Sequence, residues 1–330
     1  MALAEAANPS EANRGVWGVV PSQGTGSLGG VSRASGRLRA LSLGSVPPPA
    51  LILLGIISLQ VGAGLAKHLF DRLPPSAVVT MRLLTSAIVL GFLARKALRT
   101  VLRDHSRSSI AIAAGFGLAL ALMNFSIYQS FSRIPLGVAV TIEFLGPLTV
   151  SIVASRRPRD ALWVVLAGAG VVLLARGGTG AVDPVGVAFA LLAGACWAGY
   201  IVLTAATGRR FSGSTGLALA SVVGTIAILP LGVASAGTAL LDPQLLLIGL
   251  GVGLLSSVIP YSLELEALRR MPARVFGILM SLEPAVAALV GVALLGEILT
   301  FRQWVAICCV IVACAGATRS QQNPPEAPEA

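Results

Sequence analysis

Four ionisable residues, Arg82, Glu143, Glu264 and Glu283, lie inside long apolar stretches of this sequence. A charge at the centre of a bilayer costs about 2.5–3.5 kcal/mol on insertion scales, so each must face protein or a watery cavity. Glu143 shares a helical face with Gly146 and Pro147, at i+3 and i+4. Proline removes a backbone donor and frees a carbonyl, giving a kinked wall that can hold an ammonium or a proton. Desolvation favours the neutral form of a carboxyl group, the property a proton carrier needs. The competing role for Glu143 is a glutamate that stays protonated and bonds a neighbouring helix; the functional role is the expectation. Glu264 follows Pro260 and shares a face with Ser257 and Tyr261. It suits a cavity wall or a solvated helix end equally well. Glu283 precedes Pro284, and a structural role is expected of both. Arg82 can clamp a carboxylate bidentately or pair permanently with one of the glutamates, with the pairing preferred.

Neutral polar residues form two further stripes. Gly117, Ala121, Asn124 and Tyr128 fall on one helical face, and Trp197, Tyr200 and Thr204 on another. Such stripes suit a cavity wall that gives hydrogen bonds to a small zwitterion, and they suit plain helix–helix packing as well. Gly249 and Gly253 make a GxxxG-type contact surface, inside one protomer or between two. Lys67 is expected to snorkel to the membrane interface, Glu297 to make a helix-terminus or loop contact, and Glu266 to be solvated. No metal site and no cofactor are expected, because Cys196, Cys308, Cys309 and Cys314 all lie in apolar segments with no CxxC pair. An intramembrane enzyme would need a nucleophile–base pair. The two histidines, His68 and His105, sit near the ends of apolar stretches, with no GxSx–His pairing and no HExxH pattern.

The elements that must position these residues follow from composition. The 330 residues are 55% hydrophobic and 12% charged, with a mean hydropathy of +0.85. A soluble domain of this length needs far more charge to cover its surface, so the lipid bilayer is the expected partner. The net charge of +10 does not imply nucleic acid, since aromatics are only 5% and the basic residues cluster between apolar runs. Apolar stretches predict spans at 49–70, 76–95, 109–131, 136–154, 161–176, 184–206, 214–234, 244–268, 274–294 and 302–318. Residues 1–48 predict a disordered arm and 319–330 a polar tail. With both termini cytoplasmic in a cell (inner or plasma) membrane, 18 of the 24 basic residues fall on the cytoplasmic side. They include Arg95, Lys96, Arg99, Arg103 and Arg107, then Arg156, Arg157 and Arg159. Only Lys67, Arg72, Arg133, Arg176 and Arg302 fall opposite, an asymmetry that supports ten spans in this orientation.

The chain also repeats itself. Arg133-Ile134-Pro135 opens the fourth span and Pro147 follows; Arg270-Met271-Pro272 opens the ninth and Pro284 follows at the same interval. Trp163 and Trp304 then stand near the start of the next span in each case. The expected architecture is an all-α polytopic membrane protein of ten transmembrane helices, as a 5+5 inverted repeat of residues 49–176 and 184–318. An odd number of spans per half forces the halves into opposite orientations.

The segments Ile134–Val140 and Glu143–Leu148 resemble the drug/metabolite transporter superfamily, EamA type. Within it, the sequence is most similar to the threonine/homoserine exporter group. Gly62–Lys67, Arg82-Leu83-Leu84, Tyr261–Glu264, Leu282–Ala285 and Gly296-Glu297 extend the resemblance over about residues 49–318. Two features depart from the wider superfamily: Gln60-Val61-Gly62 replaces a Trp-Gly pair, and Ser155-Arg156-Arg157 stands where a Gly-Glu is usual. Both fit the exporter subgroup. The resemblance implies proton-driven export of amino acids or related metabolites from a central cavity, and the alternative it leaves is export of other small metabolites or drugs. The residues expected to bind substrate or proton are Glu143, Arg82, Asn124, Tyr128, Trp197, Tyr200, Tyr261 and Glu264.

Overall fold

The computed structural model describes residues 46–95, 98, 99, 101, 105–155, 161–175, 182–211 and 215–320. The expected N-terminal arm, apart from its last residues, the polar tail after Ser320 and the Arg156–Arg159 cluster lie outside this set. The described residues are mostly helical, with no strand among them. The helices are α1 (Pro48–His68), α2 (Pro75–Leu93), α3 (Arg107–Phe131), α4 (Leu136–Glu143) and α5 (Leu145–Ser155), followed by α6 (Ala161–Ala175) and α7 (Pro184–Gly208). After them come α8 (Thr215–Ala236), α9 (Pro243–Gly253), α10 (Ile259–Leu268), α11 (Ala273–Met280), α12 (Glu283–Leu295) and α13 (Phe301–Ser320). A π-helical turn, Leu254–Val258, joins α9 to α10 in one continuous rod.

Nine of the described helical segments are long and apolar enough to cross a membrane, and Leu162–Leu174 is a shorter apolar helix. That shorter helix stands where the fifth of the ten expected spans falls. The outside of the bundle is apolar: Ile88 is 61% exposed, Val165 68% and Leu247 69%. The inside holds the polar residues, with Gln60, Arg82, Asn124, Glu143 and Glu283 all buried. This inversion of a soluble protein's surface makes the chain a multi-pass membrane protein. The four cysteines are free; Cys314 is buried, whereas Cys308 is exposed on the apolar outer face.

Prolines set the helix starts and breaks. Pro135 and Pro272 precede the eight-residue helices α4 and α11. The turns at Phe144 and Ser281 end those helices, each three residues before a proline. Pro147 and Pro284 have no N–H for the fourth residue back, so the ladder is interrupted where it crosses them. Helix pairings recur when each of the first five spans is exchanged for its partner five spans on. The α3–α7 contact is matched by α1 against α9 and α10, α3–α8 by α2–α9, and α4 and α5 on α7 by α11 and α12 on α1. The pairs α2–α8, α6–α13 and α4–α12 map onto themselves. The pattern is compatible with two five-span halves.

Glycines allow the closest of these crossings. A Cβ on Gly194 would lie 2.7 Å from the Glu143 carbonyl oxygen, and one on Gly146 would meet the backbone of Gly194. Gly249 and Gly253 pack on Met81 and Thr85 of α2, so that surface is used inside the protomer.

Candidate functional site

A cavity of about 440 Å³ lies among the broken helices. Seven of the eight residues expected to bind substrate or proton reach its wall: Arg82, Glu143, Asn124, Trp197, Tyr200, Tyr261 and Glu264. Tyr128 does not line it but stands behind Arg82, fully buried. Glu283 and Pro147 line it too, as does Gln60, which the sequence marked only as part of a departure from the wider superfamily and not as a site residue.

Arg82 is built in by three elements. Its Nε donates to Ser257 Oγ at 3.2 Å, Nη1 to Tyr128 OH at 3.4 Å and Nη2 to the Ser256 carbonyl at 2.9 Å. The Ser256 carbonyl is free because its partner four residues on is Pro260, which has no N–H. The π-helical turn also leaves the Leu255 carbonyl accessible, and it accepts from Ser58 Oγ at 2.8 Å. Arg82 therefore sits on neutral acceptors, and the expected permanent pairing with a glutamate is not formed among the described residues. The reason is local: α2 faces the irregular turn, whose carbonyl and hydroxyl replace a carboxylate. A guanidinium has five N–H donors and three are used, so two remain for a ligand.

The acids surround this cation without touching it. Glu143 ends α4, at the break rather than in mid-helix, with the Phe144 ring edge-on to Trp197 at 4.9 Å. Glu283 opens α12 and accepts from Gln60 Nε2 of α1 at 2.9 Å. The stripe on α3 divides in two. Gly117 packs against Ala220 and Val223 of α8, while Asn124 faces the cavity and its Nδ2 donates to the Leu120 carbonyl at 2.8 Å. On α7, Trp197, Tyr200 and Thr204 form one wall, and Tyr200 packs on Phe116 with ring centroids 5.0 Å apart. Among the described residues no group of three or more His, Cys, Asp or Glu could hold a metal ion.

The two ends of the bundle differ. At the near end, where Val46 O accepts from Arg270 Nη2, the helix termini Gly208, Leu268 and Thr318 belong to the cavity wall. At the far end, Lys67 Nζ binds Glu297 Oε1 at 2.7 Å and donates to the Ile134 carbonyl at 2.9 Å. Glu297 Oε2 accepts from Leu136 N at 2.8 Å, capping α4, whose own cap residue Pro135 has no side chain to do so. Gly296, at φ +66°, takes the left-handed turn that brings Glu297 back over α12. Lys67 thus does not snorkel; an anion from the opposite half of the chain is close enough to hold it. Glu297 makes the expected helix-terminus contact, and Glu266 pairs with Arg270 at 3.3 Å at the near end.

Gln60 carried no charge to draw attention in the sequence, and its signal was only its place in an apolar helix. Ser256 was not read from the sequence either; Pro260, four residues later, was the signal that its carbonyl is released.

Comparison with known proteins shows the family. The EamA-like transporter family matches residues 184–319, the second half of the bundle. The threonine/homoserine exporter RhtA of Salmonella typhimurium (strain LT2) is 41% identical over 282 residues, 84% of this chain and 94% of the relative. The same exporter from Escherichia coli (strain K12) is 40% identical over 82% of this chain and 91% of its own length. The uncharacterized transporter YwfM of Bacillus subtilis (strain 168) is 31% identical over 48% of the chain and 55% of its own length. A protein of known crystal structure shares the fold, with a TM-score of 0.51 at 17% identity over 82% of this chain and 97% of the other. Proteins related over this much of their length share one architecture and one class of activity, transport rather than enzymatic catalysis: the chain belongs to the EamA-like transporter family.

Proposed function

We propose that this chain is a secondary exporter of small amino acids, threonine and homoserine first among them, and that protons returning inward drive it. The observation that carries this reading is the cavity: one guanidinium with two unused N–H donors and three carboxyl groups, all in a space of about 440 Å³. A zwitterion has complementary groups for both charges. The identity of about 40% to exporters of threonine and homoserine supplies the substrate class. Arg82 holds the carboxylate, Glu143 carries the proton at the helix break, and Trp197, Tyr200, Tyr261 and Glu264 complete the wall.

Alternating access follows from the two ends. With the near end cytoplasmic, as the basic residues place it, substrate enters there while the Lys67–Glu297 ion pair keeps the far end shut. Rocking of one five-span half against the other breaks that tie and opens the cavity outward. The protein then resides in the inner or plasma membrane with both termini cytoplasmic. The test is efflux of labelled threonine from proteoliposomes with an imposed proton gradient. Saturable efflux that an ionophore slows supports the reading; efflux equal to that of empty liposomes removes it, and efflux indifferent to the ionophore removes the proton coupling alone.

A further inference from the structure

We propose that Gln60 and Glu283 form the subsite for the substrate's ammonium group, an inference that rests on the amino-acid reading above. Gln60 Nε2 donates to Glu283 Oε1 at 2.9 Å, which fixes the two side chains against each other across the α1–α12 contact. The amide oxygen of Gln60, Oε1, and the second carboxyl oxygen of Glu283, Oε2, are both buried with no hydrogen-bond partner. Both residues line the cavity, and they are only 2% and 4% exposed. Buried acceptors without donors are rare in folded proteins and ask for a missing partner.

The missing partner is a cation with several N–H donors. An amide oxygen and a carboxylate oxygen accept and cannot donate when the acid is ionised. Among the described residues no protein cation fills the place: Lys67 Nζ is taken by Glu297 and the Ile134 carbonyl, and Arg82 bonds Ser257, Tyr128 and Ser256 but neither Gln60 Oε1 nor Glu283 Oε2. A primary ammonium brings three donors. Two satisfy Gln60 and Glu283, and Asn124 Oδ1, likewise buried and unpartnered on the wall of the same cavity, is a further acceptor. The position of Glu283 serves this role. It is the first residue of α12, beside the break before Pro284, and it lies on the cavity wall.

With the carboxylate on Arg82 and the ammonium on Gln60–Glu283, the cavity selects for the α-amino acid pattern. It rejects the matching hydroxy acid, because that ligand leaves buried acceptors unpaired. The measurement is equilibrium binding to the purified full chain in detergent, using threonine and its deaminated analogue 2,3-dihydroxybutyrate. For the parent, threonine is expected to bind about tenfold or more tighter than the analogue. Glu283→Gln and Gln60→Leu are each expected to erase most of that preference while leaving affinity for the analogue within about twofold, since only the ammonium contact is lost. Retained analogue binding also reports a folded variant. If Glu283→Gln loses both ligands, Gln60→Leu decides: a lost preference supports the subsite and a parental preference overturns it. Parental preference in both variants overturns it as well. A parent that binds neither ligand overturns the amino-acid reading itself, which separates the two failures.

Discussion

Arg82 rests on three neutral acceptors, the Ser257 hydroxyl, the Tyr128 hydroxyl and the Ser256 carbonyl. The planar fork of a guanidinium reaches all three at once, and a lysine ammonium does not. Arg82→Lys keeps the charge but leaves buried acceptors unpaired, each worth about 1–3 kcal/mol. Threonine flux in proteoliposomes matched for protein content is expected to fall at least about tenfold; parental flux would contradict the role given to the fork. Glu143→Gln keeps the shape and removes the titratable group. Threonine-for-threonine exchange is expected to persist while net efflux stops responding to an imposed proton gradient. Arg82, Glu143, Glu264 and Glu283 were legible because a charge in an apolar run has no cheap explanation. Gln60 was not, since a neutral amide raises no such alarm and its partner lies 223 residues away. The preferred Arg82–glutamate pairing failed for a related reason. Sequence patterns do not show that a backbone carbonyl has been released beside the guanidinium.

At the scale of elements, prolines and glycines decide where helices break and how closely they cross. Pro260 withholds an N–H from the Ser256 carbonyl, which Arg82 then uses. Pro260→Ala supplies a competing donor, so weaker threonine binding is expected at unchanged or higher thermal stability, both read on the purified protein. Gly146 crosses the backbone of Gly194, whose Cα would lie 3.0 Å from an added Cβ. Gly146→Val is expected to lower stability by about 1–3 kcal/mol through overpacking, seen as a lower unfolding temperature in detergent. Gly199, on the same helix as Gly194 but with nothing within 4 Å of an added Cβ, is the control: Gly199→Ala is expected to be neutral or mildly stabilising. The breaks at Phe144 and Ser281 follow from prolines visible in the sequence. The π-helical turn at Leu254–Val258 does not, because an extra residue per turn is set by packing against α1 and α2 rather than by local preference. The GxxxG-type pair was legible as a contact, but only the fold places it on α2.

Over the whole molecule, apolar length located the helices, and two five-span halves are compatible with them. The expected spans coincide with described helices to within a few residues, even where α6 is only 15 residues long. Span patterns gave no access to contacts that join distant parts of the chain. Lys67 and Glu297 read separately as an interfacial lysine and a helix-terminus or loop acid, yet they meet at 2.7 Å across the far end. Glu297→Gln removes the charge from that tie and weakens the α4 cap. It is expected to shift the resting population toward the outward-open form, measured as faster labelling of a cysteine placed at Phe131 by an impermeant thiol reagent from the far side. Unchanged labelling would mean that the tie does not gate. The cavity around Arg82 is proposed to carry small amino acids across the membrane. Counterflow tests it most directly: proteoliposomes loaded with unlabelled threonine, given a trace of labelled threonine outside, with parent and Arg82→Ala side by side. Transient accumulation of label above equilibrium by the parent, absent in Arg82→Ala, is the predicted result. No accumulation by the parent, or equal accumulation by both, would contradict it.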